Sequence, residues 1–210
     1  WIRPMYLHPA HATERLTAKW QPARVVPYLD MPVQHGDDGV LRAMRRGVTA
    51  GRMLELIARL RDALPGVTLR TTVLVGFPGE TEAAFDNLLA FVGKAGFDRL
   101  GVFTYSAEEG TPAVDMPDPV PADVMAERAQ QVQDLQDRLA WPRQKALYGT
   151  RQTVLVDGPS PDPAFPFEGR TAGQAPEIDG VVLLSDPRLT PGRFAEVSIV
   201  EVDGYELVGE

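Results

Sequence analysis

The run from Val73 to Thr81 constrains the fold of this chain more than any other stretch. Val67–Val75 is dense in β-branched and aliphatic residues, which predicts a strand buried on both faces of a parallel sheet. Gly76 and Gly79 then permit a tight turn and a close approach of the backbone to a ligand, because neither carries a Cβ atom. A helical pattern follows Thr81. This succession is typical of the ligand-binding edge of parallel α/β folds, although an ordinary strand-to-helix turn has the same pattern.

Strands and helices alternate along the first two-thirds of the chain. Strands are predicted at Ile2–Leu7, Val25–Met31, Val67–Val75 and Leu100–Tyr105. Helices are predicted at Thr13–Trp20, from Val40, at Thr49–Leu64, at Ala83–Val92 and at Ala122–Ala140, where Trp141 and Pro142 are expected to kink or interrupt the last one. Each connection is long enough for a right-handed crossover, which predicts an α/β fold with a parallel sheet, open or part of a barrel.

The helical pattern ends after Gly149, and short apolar runs then alternate with turn residues. Strands are predicted at Gln152–Val156, Gly180–Leu184, Phe194–Val202 and Tyr205–Val208. Such a succession predicts a small antiparallel β-barrel. We therefore expect two domains, residues 1–142 and residues 143–210.

Composition excludes several classes of protein. The 210 residues contain no cysteine, which rules out disulfides and cysteine-bound metals within them. The formal net charge of −8 disfavours a general polyanion-binding surface. No apolar run approaches the roughly 20 residues that span a bilayer, which predicts a soluble protein. The first residues lack a starter methionine and a leader loop, so we expect the chain to be a piece of a longer protein.

Polar side chains follow the predicted strands. Gln34 suits ribose hydroxyls, and His35 is either a ligand or a strand-end histidine bonded to backbone. Asp37 or Asp38 is expected to cap the next helix. Arg45, with Arg46, either faces solvent or binds a carboxylate through paired hydrogen bonds.

Tyr105 and Ser106 end the fourth strand and either line the same pocket or, for the tyrosine, pack in the core. No nucleophile with its base, phosphate-cradling loop or zinc constellation is present. The residues therefore indicate a pocket for a polar, nucleoside-like ligand and no reactive centre of their own.

Four stretches together resemble one family. They are residues 28–35 with 40–46, residues 70–81, residues 102–111 and residues 169–182, which include QH, VGFPGET, FTYSAEEGT and GRTAGQAPEIDG. This combination is similar to the radical S-adenosylmethionine (SAM) methylthiotransferases, and among them to the RimO type. The resemblance covers essentially the whole chain.

The resemblance implies a partial (β/α)6 barrel, represented here from its third strand, followed by a TRAM domain, a small OB-like β-barrel. It also implies SAM and two 4Fe–4S clusters in the full-length enzyme. Their cysteine ligands would precede Trp1, so this chain alone is expected to be inactive. The cofactor supplies a radical that removes hydrogen from a C–H bond, and the protein orients the substrate.

The residues expected to bind the cofactor lie at the predicted strand ends: Gln34, His35, Arg45, Gly76, Phe77, Gly79, Tyr105 and Ser106. Arg45 is the candidate for the methionyl carboxylate.

The RimO type modifies an aspartate of small ribosomal subunit protein 12 in the cytoplasm, whereas the MiaB type modifies a tRNA adenosine. His35 favours the RimO type, because tRNA enzymes more often carry serine there. From Lys145 onward, five cations stand against eleven carboxylates, a net charge of −6. An acidic TRAM domain suits a basic ribosomal protein better than tRNA, unless its acidity serves solubility alone. A non-catalytic module that binds RNA or protein is the third hypothesis.

Overall fold

A computed structural model describes residues 1–12 and 24–210. The chain divides into two compact units. The sheet unit comprises the described residues of Pro4–Gln21 and Leu29–Leu139. The barrel unit comprises Trp1–Arg3, the described part of Pro22–Tyr28, and Ala140–Glu210. The predicted helix at Thr13–Trp20 lies outside the described residues, and the predicted domain boundary at residue 142 stays a prediction.

Three strands form the sheet, in the order β1 (Tyr28–Asp30), β2 (Thr68–Val75) and β3 (Arg99–Thr104). β2 and β3 are parallel, with Arg70 opposite Arg99 and Val75 opposite Thr104. The prediction that β2 is buried on both faces is wrong, because its residues alternate between half-buried and buried. The half-buried face carries Arg70 and Thr72, and the fully buried residues of the strand all lie on the other face.

The predicted strand Ile2–Leu7 is also wrong. Ile2 forms only an isolated parallel bridge with Val25. Further on, the Leu7 N–H donates to the Asp30 carbonyl at 2.8 Å, and the Asp30 N–H donates to the Pro4 carbonyl at 3.3 Å. Pro4 lacks an N–H group, so the segment runs beside β1 without completing a ladder.

The described residues form the α-helices α1 (Asp38–Ala43), α2 (Ala50–Ala63), α3 (Glu82–Ala95) and α4 (Ala122–Lys145). Thr49 caps α2 and Thr81 caps α3 through their hydroxyl oxygens. α3 ends at Gly96, which has a φ of 56°. Two 3₁₀ turns occupy Pro9–His11 and Pro112–Asp115.

Pro142 lies inside α4 and does not end it, which corrects the expected interruption. Ala140 and Gln144, on either side of the proline, are both buried. The Ala146 N–H donates to the Pro142 carbonyl at 3.1 Å, so helical hydrogen bonding resumes at once. Packing on both sides therefore outweighs the lost backbone hydrogen bond.

The barrel has five strands: β4 (Arg151–Pro159), β5 (Phe167–Thr171), β6 (Val182–Leu184), β7 (Phe194–Asp203) and β8 (Glu206–Gly209). They close in the order β4-β5-β6-β8-β7 around an aliphatic core. The sequence did not predict β5, whose short run includes Glu168 and Gly169. The barrel is not wholly antiparallel either, because β6 and β8 pair in parallel.

Among the described residues, no helix is both long enough and apolar enough to cross a membrane.

Candidate cofactor-binding site

The ends of three strands meet at one edge of the sheet. Gln34, four residues after β1, forms a parallel bridge with Val73 of β2. Gly76 directly follows the last residue of β2, and the Tyr105 N–H donates to the Val75 carbonyl at 2.8 Å. The structure therefore brings Gln34, Gly76 and Tyr105 to the same carboxyl-terminal edge, which we call the rim.

Gln34 has a left-handed backbone, with a φ of 72°. Its N–H donates to the Thr72 carbonyl at 3.0 Å, and its carbonyl accepts from the Leu74 N–H at 2.8 Å. Neighbouring β2 thus holds a conformation that a non-glycine residue rarely adopts. The side chain is half-buried. Its predicted contact with ribose stays a prediction.

His35 is fully buried, and both of its ring nitrogens face protein atoms. Nδ1 accepts a hydrogen bond from the Asp37 N–H at 3.0 Å, so the neutral ring carries its proton on Nε2. Nε2 lies 3.2 Å from Oε2 of Glu80. This separation is within ion-pair distance, although Nε2 has no hydrogen-bond partner among the described residues. The imidazole is thus held by the protein on both sides.

Glu80 is the residue at the rim that sequence analysis missed. Its carboxylate is fully buried, and Oε2 accepts the Gly76 N–H at 2.9 Å. Oε1 lies 2.7 Å from Nη1 of Arg128, which reaches it from α4. One carboxylate therefore joins the glycine turn, His35 and α4. The spacing of Glu80 four residues after Gly76 was a local signal, but Arg128 lies 48 residues further along the chain.

Arg128 is bound on several sides. Nη1 also donates to the Glu80 carbonyl at 3.1 Å, and Nη2 donates to the exposed Glu82 carboxylate at 3.0 Å. Its guanidinium lies 5.2 Å from the centroid of the Phe85 ring. Hydrogen bonds and a cation–π contact thus compensate for its burial.

Gly76 and Gly79 need their missing side chains for different reasons. Both have a φ of 80°, which favours glycine. A Cβ atom at Gly76 would lie 2.2 Å from Cγ of Met125 on α4, whereas a Cβ atom at Gly79 would meet no atom within 4 Å. The space beside Gly76 is therefore filled by the protein itself. This corrects the expectation that both glycines leave room for a ligand. Open space lies beside Gly79 and not beside Gly76.

Phe77 and Tyr105 pack edge to face, with ring centroids 5.5 Å apart. The Tyr105 hydroxyl is buried and has no hydrogen-bond partner within residues 1–12 and 24–210. Neighbouring Ser106 is exposed. The aromatic pair thus brings an unsatisfied hydroxyl group to the rim.

Asp37 caps α1 as its position predicts, accepting from the N–H groups of Gly39 at 2.8 Å and Val40 at 3.0 Å. Partial burial acts to raise the pKa of the Asp37 carboxyl, but hydrogen bonds from Asn87, Val40 and Gly39 outweigh it and lower the pKa below 3.8. Asp38 does not cap α1. Its Oδ1 instead accepts the Ala50 N–H at 2.8 Å.

Arg45 lies outside this network. It is exposed and lines a separate groove with Arg42 and Arg52. Arg46 donates from Nη2 to the Pro32 carbonyl at 2.8 Å, which satisfies a backbone acceptor beyond β1. The predicted contact of Arg45 with a methionyl carboxylate stays a prediction.

Comparison with known proteins connects this geometry to a family. The family model of the Radical SAM superfamily matches residues 3–92, and the model of the TRAM domain matches residues 149–210. The chain is 46% identical over 210 residues to ribosomal protein uS12 methylthiotransferase RimO of Anaeromyxobacter sp. (strain K), covering 100% of the chain and 45% of that relative. RimO of Geobacter sulfurreducens is 43% identical over 212 residues, covering 100% and 47%.

The chain belongs to the family of radical SAM methylthiotransferases. It spans about half the length of the curated relatives it matches. A solved structure supports the fold: coproporphyrinogen III oxidase (HemN) from Escherichia coli, a radical SAM enzyme, has a TM-score of 0.55 at 13% identity, over 80% of this chain and 44% of the other. The predicted α/β radical SAM fold with a terminal barrel is thereby confirmed.

Radical SAM methylthiotransferases depend on SAM and iron–sulfur clusters, which are typically bound by cysteine thiolates. This chain contains no cysteine. Its described residues also hold no group of three or more His, Asp or Glu side chains arranged to bind a metal ion. The thiolates for such clusters are therefore not among these 210 residues.

Proposed function

We propose that this chain is the SAM-positioning and substrate-binding part of an enzyme that adds a methylthio group to an aspartate of ribosomal protein uS12. Its identity of 46% and 43% to two uS12 methylthiotransferases, over its whole length, carries the proposal. We further propose that the enzyme works in the cytoplasm, where its ribosomal substrate is made. Two 4Fe–4S clusters would be bound by cysteines outside these 210 residues.

The rim fits the nucleoside part of SAM. Gly79 is exposed and left-handed, and open space surrounds the position of its missing Cβ atom. The Tyr105 hydroxyl is buried and has no partner among the described residues, so a ribose or adenine group packed against it would supply the hydrogen bond that it lacks. Gln34, Phe77 and Ser106 complete the proposed contacts. The bound cofactor and clusters supply the radical and sulfur chemistry.

His35 and Gly76 act on the cofactor through Glu80 in this proposal. The Glu80 carboxylate holds the Gly76 N–H at 2.9 Å and faces Nε2 of His35 at 3.2 Å. Nη1 of Arg128, on α4, lies 2.7 Å from Oε1 of Glu80 and compensates the charge of the carboxylate. The turn is therefore rigid before the cofactor binds, which lowers the entropy cost of orienting it.

The substitution Tyr105→Phe tests the rim in the complete cluster-bearing enzyme. It removes a hydroxyl group that has no partner among the described residues, so we expect unchanged stability and SAM affinity lowered about tenfold, measured by calorimetry. Tyr148→Phe, at a 65% exposed side chain, is the matched control. Unchanged SAM affinity in the Tyr105→Phe enzyme would remove this hydroxyl group from the site.

Recognition of uS12 is proposed to use the acidic barrel unit. Glu201, Asp203 and Glu206 lie in β7 and β8 around the connecting turn, and all three side chains are exposed. We call these residues the acidic hairpin. Charge complementarity with a basic ribosomal protein accelerates association and disfavours a polyanion such as tRNA.

Neutralising the acidic hairpin tests this contact. Each exposed pair contributes about 0.5 kcal/mol, so Glu201→Gln, Asp203→Asn and Glu206→Gln together should weaken uS12 binding about tenfold at low salt, and less at high salt. The control removes equal charge from exposed positions of the sheet unit through Glu55→Gln, Asp62→Asn and Asp86→Asn. Equal losses in both variants would refute the hairpin contact.

Mass spectrometry of uS12 incubated with the complete enzyme tests the function itself. We expect the methylthio mass on an aspartate-containing peptide. Modification of tRNA with uS12 unchanged would overturn the proposed substrate.

A further inference from the structure

Three arginines line one groove where α1 meets α2. The groove has a volume of about 340 Å³. Arg42 belongs to α1, Arg45 to the connecting loop and Arg52 to the first turns of α2, while Val48 and Thr49 also line the groove. We call this feature the arginine groove.

The three cations lack partners of their own. Within residues 1–12 and 24–210, the guanidinium groups of Arg42, Arg45 and Arg52 form no ion pair or hydrogen bond. Among the described residues that line the groove, Asp38 is the one acidic side chain, and its Oδ1 already accepts the Ala50 N–H at 2.8 Å. The groove is therefore cationic in a chain whose net charge is −8.

The backbone presents Arg45 in an uncommon conformation. Its φ is 56°, a left-handed value that costs a non-glycine residue about 1 to 2 kcal/mol. Hydrogen bonds on both sides maintain it, because the Arg45 N–H donates to the Arg42 carbonyl at 3.0 Å and the Arg46 N–H to the Leu41 carbonyl at 2.9 Å. This is the left-handed cap that commonly ends a helix, and here it places Arg45 at the mouth of the groove.

The guanidinium groups, and not the start of α2, would attract an anion here. The N–H of Ala50 is taken by Asp38, and the N–H of Arg52 donates to the Thr49 hydroxyl at 3.3 Å. A nucleic acid requires cations spread along a surface, whereas here they converge on one groove. A single carboxylate, bound by paired hydrogen bonds, matches guanidinium geometry.

We propose that the arginine groove binds the carboxylate of the aspartate to be modified in the protein substrate. This inference rests on the proposed function, which makes that substrate uS12. The same chemistry is present in the methionyl carboxylate of SAM. The substrate is favoured because all three arginines are exposed and the groove is open to a protein arriving from solvent, whereas small-molecule sites mostly enclose their ligands.

Peptide binding to the complete enzyme tests the inference. Fluorescence anisotropy would compare a uS12 peptide that carries its target aspartate with one that carries asparagine there. Arg45→Gln should lower the affinity for the aspartate peptide about ten- to one-hundred-fold, which is the effect of losing a charge-assisted hydrogen bond. The affinity for the asparagine peptide should not change. Arg59→Gln, at an exposed position of α2, is the matched control and should change neither affinity.

A second comparison separates the two sources of the carboxylate. Calorimetry would measure the affinity of the unsubstituted enzyme and of the Arg45→Gln enzyme for two compounds. These are SAM and 5′-methylthioadenosine, which lacks the carboxylate. We expect equal affinities between the two enzymes for each compound. A loss confined to SAM would assign the groove to the cofactor and overturn the inference.

The outcomes also separate this inference from the proposed function. If the unsubstituted enzyme prefers the aspartate peptide and the Arg45→Gln enzyme keeps that preference, the groove assignment is refuted and the proposed function is not. If the unsubstituted enzyme does not bind the uS12 peptide, the proposed function falls and the groove assignment with it.

Discussion

The guanidinium of Arg128 lies 2.7 Å from the carboxylate of Glu80, and their side chains are 7% and 0% exposed. Burial makes this pair sensitive to the loss of either partner. Each charge has been removed from water, and only the other charge and nearby hydrogen bonds compensate for the lost hydration. The same carboxylate holds the Gly76 N–H, so the ion pair also determines the shape of the glycine turn.

Replacing Arg128 with methionine should lower the free energy of unfolding by about 3 to 5 kcal/mol, because the Glu80 carboxylate is left buried without its cation. Urea denaturation measures the loss. The double variant Glu80→Gln with Arg128→Met should recover much of it, since no charge then remains buried.

The control is Arg188→Met, which removes a surface pair. Arg188 is 87% exposed and donates to Asp186 at 2.9 Å. Solvent screens that pair, so its loss should leave the free energy of unfolding unchanged. Equal destabilisation by the two substitutions would contradict the importance of burial at Arg128.

The glycine turn was predictable because its determinants are local. Gly76, Gly79 and the Thr81 cap occupy one short run, and their turn and capping preferences operate within it. The partners of the turn were not predictable. Met125 and Arg128 come from α4, and no local pattern indicates which distant helix covers the rim.

Patterns failed wherever tertiary packing outweighed local preference. Pro142 predicts a break, yet buried residues on both sides maintain the helix. β5 contains Glu168 and Gly169, which weaken its apolar pattern, yet it pairs with both β4 and β6. The cofactor residues were located by their positions at strand ends, and their contacts with SAM stay predictions.

Gly76→Ala should destabilise the fold more than Gly79→Ala. Both residues have a φ of 80°, so the backbone strain, about 1 to 2 kcal/mol, is shared. At Gly76 the new methyl group also meets Met125, which adds an overpacking cost of about 1 to 3 kcal/mol. A side chain at Gly76 is therefore expected to disturb the fold itself.

The background substitution Met125→Ala isolates the packing cost. It opens the space beside Gly76, so the difference between Gly76→Ala and Gly79→Ala should shrink when unfolding is measured in that background. A difference that stays the same size would show that the contact with Met125 does not cause it.

Acid should remove the contribution of the Asp37 cap. Its pKa is lowered below 3.8 in the folded chain, so the carboxylate stabilises the fold above that value and its contribution falls as pH drops through the folded pKa. Asp37→Ala should therefore cost about 1 kcal/mol at neutral pH, and less below pH 3.8. Denaturant titrations across this range measure both values.

Asp37→Asn is the matched control, because asparagine caps helices without ionising. It should retain most of the neutral-pH stability and lose the dependence on pH. If Asp37→Ala and the unsubstituted chain differ equally at every pH, ionisation of Asp37 is not the cause.

Tyr28→Phe should destabilise the barrel unit, which contains both Tyr28 and its partner. The Tyr28 hydroxyl donates to the Asp179 carboxylate, and both residues are buried. Asp179 also accepts the Ala175 N–H at 2.9 Å. Losing a hydrogen bond to a buried carboxylate costs about 1.5 to 3 kcal/mol, which urea denaturation detects.

The control for Tyr28 is Tyr148→Phe, because that side chain is 65% exposed and solvent replaces any partner of its hydroxyl. It should change the free energy of unfolding by less than about 0.5 kcal/mol. If Tyr28→Phe is equally mild, the carboxylate of Asp179 is satisfied without it. Tyr28, the first residue of β1, would then contribute little to the stability of the barrel unit to which it belongs.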